Sequence, residues 1–183
     1  MQWLNEPVKW NALSNGLRVK ADARTDFWRK THDNGIRHNG HFYFDSVTGD
    51  FTARVKITAE YESQYDQAGL MVRIDERTWL KCGIEYMDGI QYASAVVTRD
   101  YSDWSIVPLT SLREIWIECE RKDNTFTVRY SLDGTRLQMI RQSFLSDTAE
   151  QQVGLMCAAP KGEGFDVTFE DYSLTNTSST GAT

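Results

Sequence analysis

Gln67, Arg73, Lys81 and Glu85 are the residues of this sequence best placed to do chemistry, because each stands in a run that alternates apolar and polar side chains. In segment 65–75, Ala68, Leu70, Val72 and Ile74 alternate with Gln67, Arg73 and Asp75; in segment 79–86, Leu80, Cys82 and Ile84 alternate with Lys81 and Glu85. A period of two belongs to a strand, so the apolar set should enter a core and the polar set leave it from the opposite face. Donors and acceptors of both signs on one concave sheet face could orient a carbohydrate or another small polar ligand, possibilities that include a carboxylate-bearing one, since Arg73 could pair bidentately with an acid group. Aromatic rims from Trp28, Tyr43, Tyr86 or Trp104 would pack against the apolar faces of such a ligand. The same charges would also serve as cross-strand ion pairs on a solvated face, each worth under ~1 kcal/mol. At this stage both readings stand.

Trp28-Arg29 and Ser102-Asp103-Trp104 lie in polar, turn-like segments, where tryptophans either line a loop-built rim or cap an open end of a sandwich. For catalysis, a Lys81 close to Glu85 would lower the carboxyl pKa and suit a nucleophile or base. A glycosidase of this shape needs a second carboxylate about 5 Å from the first, and no Glu-x-Asp-x-x-Glu strand is present. Glu118-Cys119-Glu120-Arg121-Lys122-Asp123 is the nearest approach, and Glu60 with Glu62 lacks a third partner. Segment 32–41 holds His32, Asp33, His38 and His41, but its Gly and Asn residues describe a flexible turn rather than a fixed ligand frame. Asp45 and Asp50 could coordinate calcium or simply flank a hairpin turn. With no phosphate loop, nucleophile elbow or Cys-x-x-Cys pair, no cofactor or metal is expected.

The elements that must position these residues read as nearly all β. Twelve strands are expected: 17–21, 40–45, 50–60, 67–75, 79–86, 90–98, 104–107, 114–122, 125–131, 136–142, 150–158 and 165–175. No window of a dozen residues sustains a helical period. Asn15-Gly16, Thr48-Gly49-Asp50, Asp88-Gly89, Asp123-Asn124 and Asp133-Gly134 supply residues that tolerate positive φ at hairpin reversals, the last pair in the manner of a type I′ turn. A dozen antiparallel strands imply two packed sheets, hence a β-sandwich or jelly roll.

The 183 residues suit one domain, expected over 1–176, with a small polar tail at 177–183 expected to be frayed. Cys82, Cys119 and Cys157 fall in phase with apolar neighbours and read as buried free thiols. A net charge of -6 with scattered basic residues argues against nucleic acid as a partner. The absence of a long apolar run argues against a membrane span, and the N-terminal residues carry no secretory pattern, so a cytoplasmic location is the expectation.

Several segments together resemble the regulation-of-enolase-type family of concanavalin A-like lectin/glucanase fold proteins: Thr25-Asp26-Phe27-Trp28-Arg29, Gly49-Asp50-Phe51, Asp66-Gln67-Ala68-Gly69-Leu70, the run 79–85, Val96-Val97-Thr98 with Ser102-Asp103-Trp104, and Tyr130-Ser131-Leu132-Asp133-Gly134. The resemblance implies a two-sheet antiparallel jelly-roll sandwich with one concave face, and it brings no settled activity. The leading expectation is a non-catalytic binding or regulatory domain using Gln67, Arg73, Lys81, Glu85, Trp28 and Trp104 for a carbohydrate or other small polar ligand. Two alternatives stand beside it: a glycoside hydrolase or lyase with an unconventional carboxylate such as Glu85, and a protein-interaction module whose partner is a metabolic enzyme.

Overall fold

Alternating apolar residues on many short segments can be satisfied only by stacking two sheets face to face, and the computed structural model, which describes residues 1–110 and 112–176, does so. One antiparallel sheet runs in the order β1 (Gln2–Leu4), β6 (His41–Thr48), β15 (Glu150–Ala158), β8 (Gln67–Arg73), β9 (Thr78–Met87), β10 (Ile90–Arg99), β11 (Tyr101–Pro108). The other runs β14 (Gln138–Phe144), β13 (Thr125–Ser131), β12 (Glu114–Lys122), β7 (Phe51–Ala59), β16 (Asp166–Asn176), β3 (Gly16–Lys20), β2 (Lys9–Leu13). A two-stranded ribbon, β4 (Phe27–Arg29) with β5 (Ile36–His38), belongs to neither.

Between the sheets, Leu70, Val72, Leu80, Ile84 and Leu155 meet Val55, Ile57, Ile117, Phe126 and Phe169 in one continuous core. The parity expected for β8 and β9 holds: Ala68, Leu70, Val72, Leu80, Cys82 and Ile84 point inward. All three cysteines are buried and free. The outer face of the first sheet, however, is not simply wet. Phe27, Phe42, Phe44, Met71, Trp79, Val96 and Met156 form a second apolar cluster there, with the ribbon laid across it. The Phe27 ring meets that of Trp79 edge-on at 6.3 Å, and the Arg29 amide donates to Ser102 Oγ on β11 at 3.0 Å.

Several sequence expectations need correction. Trp28 lies in strand β4 rather than in a turn-like segment, Trp104 lies inside β11, which starts three residues before the expected 104–107 strand, and β5 occupies residues 36–38 of the segment expected to be a flexible turn. Four strands lie outside the expected set: β1, β4 and β5 have three residues each, and β2 is exposed at every position, so neither length nor period betrays them. β8 stops at Arg73, leaving Ile74 and Asp75 in a bend where the Ile74 amide bonds the Thr78 carbonyl at 3.0 Å. The Thr48-Gly49-Asp50 turn passes from one sheet to the other instead of closing a hairpin. Asp88-Gly89 does close one, with φ of 50° and 80°. At Asp133-Gly134 only Gly134 is left-handed (φ 74°), and Asp133 Oδ1 gathers Ser131 Oγ, the Thr135 amide and the Arg136 amide at 2.8–3.0 Å, an Asx-type turn in place of type I′. The segment 177–183 lies outside the described residues.

Gly69 and Gly83 stand directly opposite each other on β8 and β9. A Cβ on Gly83 would sit 2.0 Å from the Ala68 carbonyl oxygen and 2.6 Å from Gly69 Cα, both backbone atoms that cannot yield alone. Gly83→Ala is therefore expected to lower unfolding stability by about 1–3 kcal/mol. Gly89→Asn, in open space on a left-handed turn, should cost well under that. Chemical denaturation curves of the two variants test the contrast, and equal losses would contradict it.

Candidate functional site

The outer face of the first sheet holds a cleft of about 850 Å³ at the end left uncovered by the apolar cluster. Its floor comes from Gln67 on β8 and from Lys81 and Glu85 on β9; its walls come from the ribbon with its connecting turn, from β11, from Tyr65 ahead of β8, and from Pro160 and Lys161 after β15. Strand register explains the floor. Gln67 pairs opposite Glu85, and the Gly69–Gly83 pair keeps side chains out of the space between Glu85 and Lys81. Gln67, Lys81 and Glu85 are only 3 %, 3 % and 7 % exposed, which rules out a solvated face of cross-strand ion pairs.

Asp26, just before β4, neutralises the buried lysine. Lys81 Nζ donates to the Phe27 carbonyl at 2.7 Å and to Gln67 Oε1 at 2.5 Å, and lies 3.6 Å from Asp26 Oδ1. Asp26 Oδ1 also accepts the Phe27 amide at 2.8 Å, while its Oδ2 accepts Arg37 Nε at 3.0 Å. Arg37 reaches on to Asp33 Oδ2 at 3.0 Å. The Gln67 amide nitrogen donates to the Tyr65 carbonyl at 3.1 Å, so both ends of that side chain are held.

Glu85 stands apart from this network. Its Oε2 accepts Ser94 Oγ at 2.9 Å, and the same Ser94 oxygen accepts the Trp104 indole N–H at 3.0 Å. Burial pushes the Glu85 carboxyl above its ordinary range, more strongly than the charge of Lys81 and the Ser94 hydrogen bond pull it down. The sequence reading had the opposite sign. Lys81 is four residues along the strand and spends its contacts on Asp26, Gln67 and a backbone carbonyl, so desolvation of Glu85 wins.

Trp28 and Trp104 form one wall, with ring centroids 6.2 Å apart and planes at 84°. The Trp28 N–H is fixed on the Thr31 carbonyl at 2.7 Å. Asp103, also at the cleft, is clasped by Arg141, Nη1 to Oδ1 at 3.2 Å and Nη2 to Oδ2 at 2.9 Å.

Of the residues singled out from sequence, Gln67, Lys81, Glu85, Trp28 and Trp104 line this cleft and Arg73 does not. Arg73 leaves the sheet on the expected face, but it sits at the strand end and donates to Gln152 Oε1 at 2.9 Å. Tyr43 packs on Trp3 at 4.7 Å, and Tyr86 stacks on Tyr61 at 6.3 Å; neither lines the cleft. Sequence reasoning missed Asp26, Arg37 and Ser94 as parts of the site. Asp26 did stand inside one of the segments quoted for the family resemblance, a signal of importance without a role. The histidines separate: His32 lines the cleft, His38 Nε2 accepts Arg29 Nη1 at 2.9 Å, and His41 Nε2 accepts the Asp22 amide at 2.9 Å. Among the described residues no three His, Cys, Asp or Glu side chains gather to hold a metal ion.

Comparison with known proteins supports the resemblance drawn from the sequence. "Regulation of enolase protein 1" of Saccharomyces cerevisiae is 36% identical over 174 residues, which cover 94% of this chain and 88% of that protein. The crystal structure of a functionally unknown protein from Saccharomyces cerevisiae superposes with a TM-score of 0.93 at 35% identity, over 97% of both chains. The carbohydrate binding module CBM66 from Bacillus subtilis shares the fold, with a TM-score of 0.60 at 13% identity over 95% of each chain. The fold is thus the concanavalin A-like antiparallel sandwich. A family model matches residues 3–177, and the chain belongs to the family described as "Protein of unknown function (DUF1349)".

Proposed function

We propose that this chain is a non-catalytic binding or regulatory domain that takes a carbohydrate or another small polar ligand in the cleft above Gln67, Lys81 and Glu85. The observation that carries the reading is a floor of polar side chains buried and fixed by the protein's own hydrogen bonds, walled by two indoles. Pre-ordered donors and acceptors beside aromatic surface lower the ordering cost of binding and suit a polyhydroxylated ligand. The carbohydrate binding module of the same fold is an analogy in architecture. Hydrolysis fits less well. Asp26 is engaged by Arg37 and Lys81, Asp33 by Arg37 and Asp103 by Arg141, which leaves Glu85 without a second free carboxylate to form a glycosidase pair.

The name of the yeast relative favours a second reading, in which the domain acts on a metabolic enzyme as a protein partner. Co-purification from the native host separates the two, since a protein partner stays in a stoichiometric complex on a sizing column and a small ligand does not.

Thermal-shift and calorimetric screening against a glycan and metabolite panel should find a ligand whose affinity falls at least about thirtyfold, ~2 kcal/mol, in Trp104→Ala. Arg73→Ala, outside the cleft, should bind within about twofold of wild type. A panel with no ligand, or equal losses in both variants, would remove the cleft from consideration.

The raised Glu85 carboxyl makes a second prediction. A group whose pKa is higher folded than unfolded stabilises the fold below its unfolded value, and that stability is lost as pH rises through the folded value. Glu85→Gln cannot ionise, so its melting temperature should gain on that of wild type as pH is raised from about 4 to about 8. A pH-independent difference between the two proteins would show that burial does not govern this carboxyl.

A further inference from the structure

We infer that the ligand of this cleft carries a cationic group, an ammonium or guanidinium, which seats against Glu85 beside the Trp28 and Trp104 indoles; the inference rests on the reading of the cleft as a ligand site. It comes from matching charges one by one. The Asp26 carboxylate holds Arg37 and faces Lys81, Asp33 holds Arg37, and Asp103 holds Arg141. Glu85 is the most buried of the four acids, and among the described residues no ion pair reaches it. Its hydrogen-bonding neighbours, the Ser94 hydroxyl and the Trp104 indole N–H, are neutral groups. Lys161 stands exposed on the rim, and it makes no ion pair among the described residues either.

A buried carboxylate without a counter-charge is costly unless it takes up a proton or a cation arrives from outside. In the free protein, burial already pushes this carboxyl toward the protonated form. The surroundings favour the second solution once a ligand is present. Two tryptophans line the same cleft, their planes perpendicular, so the ring that contributes its edge to the pair keeps both faces free of its partner. Indole faces attract cations, more strongly where water is excluded. The Gly69–Gly83 pair places no side chain between Glu85 and Lys81 on the outer face. Lys81, four residues away on the same strand, already has its counter-ion in Asp26 and its hydrogen bonds in Gln67 and the Phe27 carbonyl, so it is not spent on Glu85.

Matched probes that differ in charge test this on the full chain. Tryptophan fluorescence and calorimetry would compare glucosamine with glucose and N-acetylglucosamine, and choline with its neutral carbon isostere dimethylbutanol. The expected result is at least a tenfold preference for the cationic member of each set, reduced to within about twofold in Glu85→Gln and kept in Arg73→Ala, outside the cleft. Circular dichroism of Glu85→Gln would show that the sandwich is intact. Neutral probes that bind as tightly as the cationic ones, or a preference that survives Glu85→Gln, overturn the charge assignment and leave the cleft reading in place. If no probe of either charge perturbs the tryptophans, the charge assignment falls, and failure of the wider glycan and metabolite panel as well would take the cleft reading with it.

Discussion

A lysine ammonium inside a sandwich must be neutralised, and the way Lys81 meets that demand organises the whole outer face of the first sheet. Its nearest hydrogen-bonding partners are the Phe27 carbonyl and Gln67, and its counter-ion is Asp26. Two of those three lie on the chain that enters β4. The electrostatic need of one β9 residue therefore fixes where the ribbon crosses the sheet, and the ribbon brings Phe27 onto Trp79 and Trp28 to Trp104. Breaking a buried pair by removing one partner costs far more than the pair is worth relative to an apolar replacement. Lys81 and Asp26 are thus a constraint on geometry rather than a source of stability.

That constraint divides the face in two. Where the ribbon covers the sheet, apolar side chains fill the interface and the surface is lost to solvent. Where it stops, polar side chains of the same strands remain open to a ligand while still being held from beneath and from the side. Site and second core are two ends of one structural solution, since the backbone that seals Met71 and Trp79 also carries Asp26 and Trp28. Glu85 belongs to the cleft end, where burial without an ion-pair partner raises its carboxyl.

How much of this was legible follows from what a sequence period can carry. Side-chain alternation on β8 and β9 is strictly local, so the inward and outward sets were readable, Arg73 included. What parity cannot give is position along the strand relative to a distant segment, and that is why Arg73, on the correct face, lies outside the cleft. Asp26 and Arg37 come from a stretch whose conformation is set by long-range contacts with the sheet rather than by any repeat of its own. Met71, Trp79 and Val96 stand in the polar phase and mark a second buried layer that the sequence analysis does not draw, because a solvated face has little use for three large apolar groups. The error in the Glu85 shift had another origin: a neighbour's charge can be read from a sequence, whereas the depth of burial that outweighs it cannot.

The double burial of β8 bears on how this fold can diverge. From Gln67 to Val72 six consecutive positions are closed to solvent, inner face against the sandwich core and outer face against the second cluster and the cleft floor. Such a strand has no side on which drift is neutral. β2, exposed along its full length, has nothing but such sides. Lineages carrying this sandwich will therefore accumulate change at the far edge of the second sheet and retain the central strand of the first.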